Sequence, residues 1–187
     1  MARCVPVAGV TSSIVPGRVW SSVARVTIRN SHCSFCGERF ATGQVWPRVC
    51  SACGNTSYLN PLPVAVMVLP VDGGLLVVRR DVEPRRGGLA LPGGFIDLGE
   101  TWQQGAVREL REETGVVVDA GDVRLLDVLS APDGHVLIFA LGPETPASAL
   151  PPVAATSETT EWLVIDGPQE LAFPLHTEVV ANYFSRS

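Results

Sequence analysis

The stretch from Gly94 to Val116 constrains this chain more than any other, because its punctuation admits one helix with two chemically distinct faces. Thr101 with Gln104 three residues on forms a capping box, which opens a helix by satisfying its free N–H groups. Gly115 is a natural left-handed residue to close it, so the helix is predicted to end at about Thr114. At about 100° per residue, Ala106, Val107 and Leu110 share one arc and can pack on a sheet. Glu109, Glu112 and Glu113 share an adjoining arc of about 100°. One face anchors the helix and the next presents three carboxylates.

Carboxylates at i, i+3 and i+4 repel by a few tenths of a kcal/mol per pair. Gathering them is useful when a hard divalent cation sits among them, since Mg²⁺ and Mn²⁺ prefer oxygen ligands. An isolated E-x-x-E-E is usually only a solvated helix face. The whole spacing here is G-x5-E-x7-R-E-U-x-E-E-x-G-U, with U a bulky aliphatic residue, carried by Gly94, Glu100, Arg108, Glu109, Leu110, Glu112, Glu113, Gly115 and Val116. For this composition, meeting all nine constraints by chance is on the order of one in ten million.

This pattern resembles the box of the Nudix hydrolase family without a departure. The resemblance implies an α/β fold: an α/β/α sandwich with a mixed sheet, the box forming a loop–helix–loop. It implies hydrolysis of the pyrophosphate of a nucleoside diphosphate linked to another moiety, with Mg²⁺ or Mn²⁺ as catalytic cofactor. Carried over by position, Glu109 and Glu113 would be the principal metal ligands and Glu112 would complete the set. The backbone carbonyl of Gly93 would be a further ligand. Arg108 would brace the glutamates, and Glu100 would support the loop or an additional metal. The general base varies within the family. Glu158 is favoured over Glu161 from its offset to Trp162, with Glu112 or Glu109 as alternatives.

Five cysteines are present, and four form the near-identical turns Cys33-Ser-Phe-Cys36-Gly and Cys50-Ser-Ala-Cys53-Gly, thirteen residues apart. Four soft sulfur donors on two tight turns predict a closed structural Zn²⁺ site. A redox pair would need a surrounding βαβ pattern, and two disulfides would need an oxidising compartment. Cys4 and His32 are read as bystanders. Available thiolates point to a cytoplasmic location. The ribbon, followed by Tyr58-Leu59-Asn60-Pro61 and a strand, is similar to a zinc-ribbon Nudix subgroup that includes NADH and FAD pyrophosphatase-like proteins. No S-Q-P-W-P-F-type motif follows the box, a departure that weakens NADH and leaves FAD, ADP-ribose and nucleotide sugars.

Residues 1–30 read as a disordered extension, 31–58 as the zinc ribbon and 62–187 as the hydrolase domain. Pattern and turn signals predict a hairpin over 64–80. Strands are predicted at Val116–Val118, Val123–Leu129, His135–Leu141 and Trp162–Ile165. The proline-rich stretch 142–160 reads as a mobile loop, and a closing helix is predicted after Pro174.

No apolar run approaches the roughly 20 residues of a membrane helix, so no membrane partner is expected. The net charge of −5, with every cation an arginine, argues against broad charge-driven nucleic-acid binding. The expected partner is a small-molecule nucleotide, and a homodimer is compatible with the resemblance. Arg79, Arg80 and Arg85 are candidates for substrate phosphates, since a guanidinium donates in pairs. Rival readings are a nucleoside-triphosphate or RNA-cap hydrolase of the same family, or a non-catalytic ligand sensor or nucleic-acid-binding regulator. The intact glutamate set and the absence of a winged-helix pattern speak against the last.

Overall fold

The structure, a computed structural model, describes residues 29–186. Cys4 and the predicted extension up to residue 28 lie outside the described residues. The chain divides into two compact units, one up to Leu59 and the other from Asn60 onward. No helix among the described residues is long and apolar enough to cross a membrane.

Among the described residues of the first unit, β1 (Arg48–Val49) pairs antiparallel with β2 (Thr56–Ser57). The unit's two cysteine turns repeat in space as they do in sequence. The N–H of Gly37 donates to the Cys33 carbonyl at 3.0 Å, and Gly54 donates to Cys50 at 2.9 Å. Both glycines have positive φ, 77° and 72°, the conformation that closes such a turn without a Cβ penalty. Cys33, Cys50, Phe40 and Trp46 form a small core around them.

The second unit contains two four-stranded sheets. One is mixed, in the order β7 (Gly93–Phe95), β3 (Leu62–Val68), β9 (His135–Leu141), β8 (Arg124–Ser130), with β3 and β9 parallel. The other pairs β5 (Gly74–Arg80) with β10 (Thr159–Ile165), β4 (Pro70–Val71) and β6 (Leu89–Ala90), all antiparallel. Alternation along β3 shows how the layers stack. Ala65 and Met67 share a core with Ala106 and Leu110 of α1 (Trp102–Thr114). Val66 and Val68 share another with Val179 and Val180 of α2 (Pro174–Arg186). Successive side chains of a strand point to opposite faces, so the sheets lie between the two helices: an α/β/α sandwich.

The predicted hairpin over 64–80 is confined to its last part. Pro70–Val71 pairs with β5 around the Asp72–Gly73 turn, with one further bond from the Leu76 N–H to the Leu69 carbonyl, while β3 belongs to the other sheet, between β7 and β9. The cause is burial: Ala65 through Leu69 are all inaccessible, and a strand covered on both faces needs neighbours on both edges. Val116–Val118 is not a strand either. Val116 is buried in the α1 core and Val117 is exposed, the alternation of a strand with no partner to hydrogen-bond. Strand β10 begins at Thr159, earlier than the predicted Trp162, and the 142–160 stretch holds a 3-10 turn at Ala147–Ala149.

Candidate active site

Helix α1 begins and ends as its sequence dictates. Thr101 Oγ1 accepts from the Gln104 N–H at 3.2 Å, and the Gln104 side chain accepts from the Thr101 N–H at 2.8 Å. Gly115 is left-handed, and its N–H donates to Arg111. With both ends set, the acidic face turns toward a hollow of about 390 Å³. Glu109, Glu112 and Glu113 line it from the helix, Gly93 and Gly94 from β7, and Thr156, Ser157 and Glu158 from the segment that leads into β10.

Arg108 organises one side of the hollow. Its Nε donates to Glu100 Oε1 at 2.8 Å and one terminal nitrogen donates to Glu109 Oε1 at 2.7 Å. The same nitrogen reaches Glu112 Oε2 at 3.3 Å, and the other donates to the Phe95 carbonyl at 2.8 Å. One planar fork thus ties the loop before the helix to two of the helix glutamates, which a lysine could not do. The Glu100 carboxyl is held below its ordinary range by Arg108 and by the Asp97 N–H.

Glu113 sits deeper. It is buried, and its Oε2 accepts from the Gly93 N–H at 3.2 Å. Burial pushes its carboxyl up to about 8, with the neighbouring Glu109 and Glu158 adding to the rise. Glu109 is also raised, since burial outweighs the pull of Arg108. Two carboxyls held up by burial and by neighbouring carboxylates, open to a hollow, form a site short of positive charge. Hard oxygen donors with that deficit fit a divalent cation. The glutamates are less tightly gathered than the cysteines described below.

The glycines leave space that the carboxylates occupy. A Cβ on Gly94 would collide with the Glu109 carboxylate, and one on Gly93 would come within 2.8 Å of Val66 Cα. No side chain fits at either position without moving β3 or the site.

Of the two late glutamates, Glu158 lines the hollow, whereas Glu161 forms an ion pair with Arg79 at 2.7 Å. Arg79, Arg80 and Arg85 do not line it. Arg80 donates to the carbonyls of Pro84 and Val82 and lies 5.0 Å from the Phe173 ring, although its charge is felt at Glu113. Arg85 is exposed, with a positive φ of 67°.

Two residues missed in the sequence reading hold the Glu158 segment. Thr156 Oγ1 accepts from the N–H groups of Glu158 and Thr159, both at 3.1 Å. Thr159 Oγ1 donates to the carbonyl of Glu113 at 2.9 Å. The T-x-x-T spacing before a strand is the only sequence signal for them, and it is a weak one.

The four cysteines form a second site. All four are free, and their sulfurs lie within 4.8 Å of one another. Cys33 and Cys53 sulfurs are 3.7 Å apart, and Cys36 and Cys50 are 3.6 Å apart. A tetrahedron built on Zn–S bonds of about 2.3 Å has edges of about 3.8 Å. Donor type and spacing both fit zinc. Backbone N–H groups of Cys36 and Phe35 lower the Cys33 thiol to about 6, and that of Asn55 lowers Cys53. The facing sulfurs of Cys53 and Cys50 instead push Cys36 up to about 12, so the four share their protons until a cation displaces them.

An α/β/α sandwich whose arginine-braced glutamate helix lines an open hollow matches the hydrolase class that the helix pattern implied. Comparison with known proteins makes the assignment definite. The NUDIX domain model matches residues 61–183, and the chain belongs to the NUDIX family of pyrophosphohydrolases. It is 33% identical over 135 residues to an ADP-ribose pyrophosphatase of Methanocaldococcus jannaschii, covering 67% of this chain and 75% of that protein. It is 30% identical over 90 residues to the NAD-capped RNA hydrolase NudC of Shigella flexneri, covering 48% of this chain and only 35% of that protein. Among solved structures, a NUDIX hydrolase of Nitrosomonas europaea superposes with a TM-score of 0.62 at 24% identity, over 83% of this chain and 91% of that one. The likeness to that structure concerns the fold.

Proposed function

We propose that the chain hydrolyses the pyrophosphate of a dinucleotide-type substrate, ADP-ribose first and FAD, NADH or a nucleotide sugar next. The carrying observation is that Glu109, Glu112, Glu113 and Glu158 face one open hollow. The relative with the broader match is named an ADP-ribose pyrophosphatase, which supports that order.

In this reading Glu109, Glu112 and Glu113 hold Mg²⁺ or Mn²⁺, with the Gly93 carbonyl and Glu100 beside them. When bound, such a cation polarises the phosphoryl oxygens and lowers the pKa of bound water. Glu158 lines the same hollow as the helix glutamates and takes a proton from the attacking water. A P–O bond forms to that water oxygen, and the P–O bond to the bridging oxygen breaks. The second phosphate leaves with the bond's electron pair; ADP-ribose would yield AMP and ribose 5-phosphate. Arg108 keeps Glu109 and Glu112 aimed at the hollow throughout. Glu161 is tied to Arg79, which favours Glu158 as base. The geometry lends little support to Arg79, Arg80 or Arg85 as phosphate ligands.

The four cysteines hold Zn²⁺ as a structural ion, and the chain from residue 62 onward is the hydrolase domain. The experiment is a panel of ADP-ribose, FAD, NADH, nucleotide sugars and nucleoside triphosphates with Mg²⁺ or Mn²⁺, read by AMP or phosphate release. Turnover of a dinucleotide that is lost without divalent metal is expected. Turnover of triphosphates alone would displace the proposed substrate class.

A further inference from the structure

The total charge conceals a segregation. Six arginines face one carboxylate before residue 60, and eight face eighteen after it. Within the first unit, Arg29, Arg39 and Arg48 line a single hollow of about 260 Å³ together with Phe40 and Trp46. Among the described residues, no carboxylate pairs with any of the three. The second unit differs, since Arg79, Arg86 and Arg108 are each engaged by an acid.

The hollow is preorganised. Arg48 donates to the carbonyls of Gln44 and Asn30, and its guanidinium lies 4.4 Å from the Trp46 ring centroid. Phe40 meets Trp46 edge-on at 5.9 Å, so the indole is held from the side. Two exposed guanidiniums therefore flank a planar stack fixed by the protein.

We propose that this hollow binds single-stranded nucleic acid, with Arg29 and Arg39 on backbone phosphates and the Trp46–Arg48 stack as the platform for a base. Arginine supplies paired donors to phosphate oxygens. Stacking on an aromatic contributes about 1–3 kcal/mol per base whatever the base. A hollow of this size admits one splayed nucleotide and not a duplex. An acidic peptide would satisfy the arginines but leave the stack unused. The proposal stands apart from the hydrolytic one, because the binding needs no divalent cation.

The test is fluorescence anisotropy of a labelled single-stranded RNA of roughly 12 nucleotides with the full-length, zinc-loaded protein. It is run without Mg²⁺ or Mn²⁺, from about 50 to 300 mM salt. Arg29→Ala with Arg39→Ala is expected to weaken binding at least ~10-fold at the lowest salt and to flatten the log–log salt slope by about 1.4, two phosphates' worth. Zinc content and thermal midpoint should match those of the wild type, which separates lost contact from lost fold. Arg39→Lys should retain most of the salt slope. Absence of wild-type binding at low salt overturns the proposal, as does an unchanged affinity in the double variant. Competition by AMP or by a polyglutamate peptide at the strand's own concentration would also overturn it.

Discussion

The hydroxyl of Thr159 donates to the backbone carbonyl of Glu113 at 2.9 Å, joining the last turn of α1 to the first residue of β10. That carbonyl is one of the four that a helix C-terminus leaves without an intrahelical partner. The bond satisfies it and sets Glu158, one residue earlier, beside the helix glutamates. A single side chain thus couples two groups 46 residues apart.

Thr159→Val keeps the shape and removes the donor. A buried acceptor left unpaired costs about 1–3 kcal/mol. The expected result is a lower thermal midpoint together with a fall in kcat, because the Glu158 segment loses its anchor. A variant with unchanged kcat would show that the coupling is structural alone.

Glu158→Gln and Glu161→Gln separate the two candidates for the base. Loss of a positioned general base typically costs about 10²–10⁴ in rate. Glu158→Gln should fall in that range. Glu161→Gln should lose only its exposed ion pair with Arg79, a few-fold effect at most. The reverse order would assign the base to Glu161.

Glu113 makes the metal-free protein sensitive to alkali. Its folded carboxyl, at about 8, lies above the ordinary range, so the folded state binds the extra proton. Stability from this group is complete below about pH 4.5 and is lost as pH rises through about 8. The thermal midpoint in chelator should therefore decline from pH 5 to pH 9, and Glu113→Gln should flatten that decline while abolishing turnover. Added Mn²⁺ should restore the wild-type midpoint at the alkaline end and leave the variant unmoved. A pH-independent midpoint in wild type would remove burial as the controlling force.

Zinc analysis tests the cysteine site. Protein purified without chelator should carry about one zinc per chain, and Cys50→Ser should lose it. Binding and folding are linked at such sites, so the ribbon should lose its structure with the ion. Well under one zinc per chain in the wild type would reject the assignment.

Much of the α1 region was legible because its signals are local. The capping box at Thr101, the stop at Gly115 and the split between Leu110 and the glutamates depend only on residues a turn apart. The same holds for the cysteine turns, each closed by its own glycine. Strand β9 was legible at both ends from its periodicity. The hairpin over 64–80 misled because an apolar run carries no record of its partner. Val116–Val118 misled because alternation alone does not supply a neighbouring strand.

From sequence alone came the helix, its acidic face, the four-thiol cluster and membership in a family of pyrophosphate chemistry. Tertiary structure alone decided that β3 lies beside β9, that Arg79 is already engaged by Glu161, and that Thr159 ties the Glu158 segment to the end of α1. Helical periodicity and turn chemistry act over a few residues, where covalent spacing fixes geometry. Strand pairing and side-chain partnership are settled by burial between distant segments, which no local window contains.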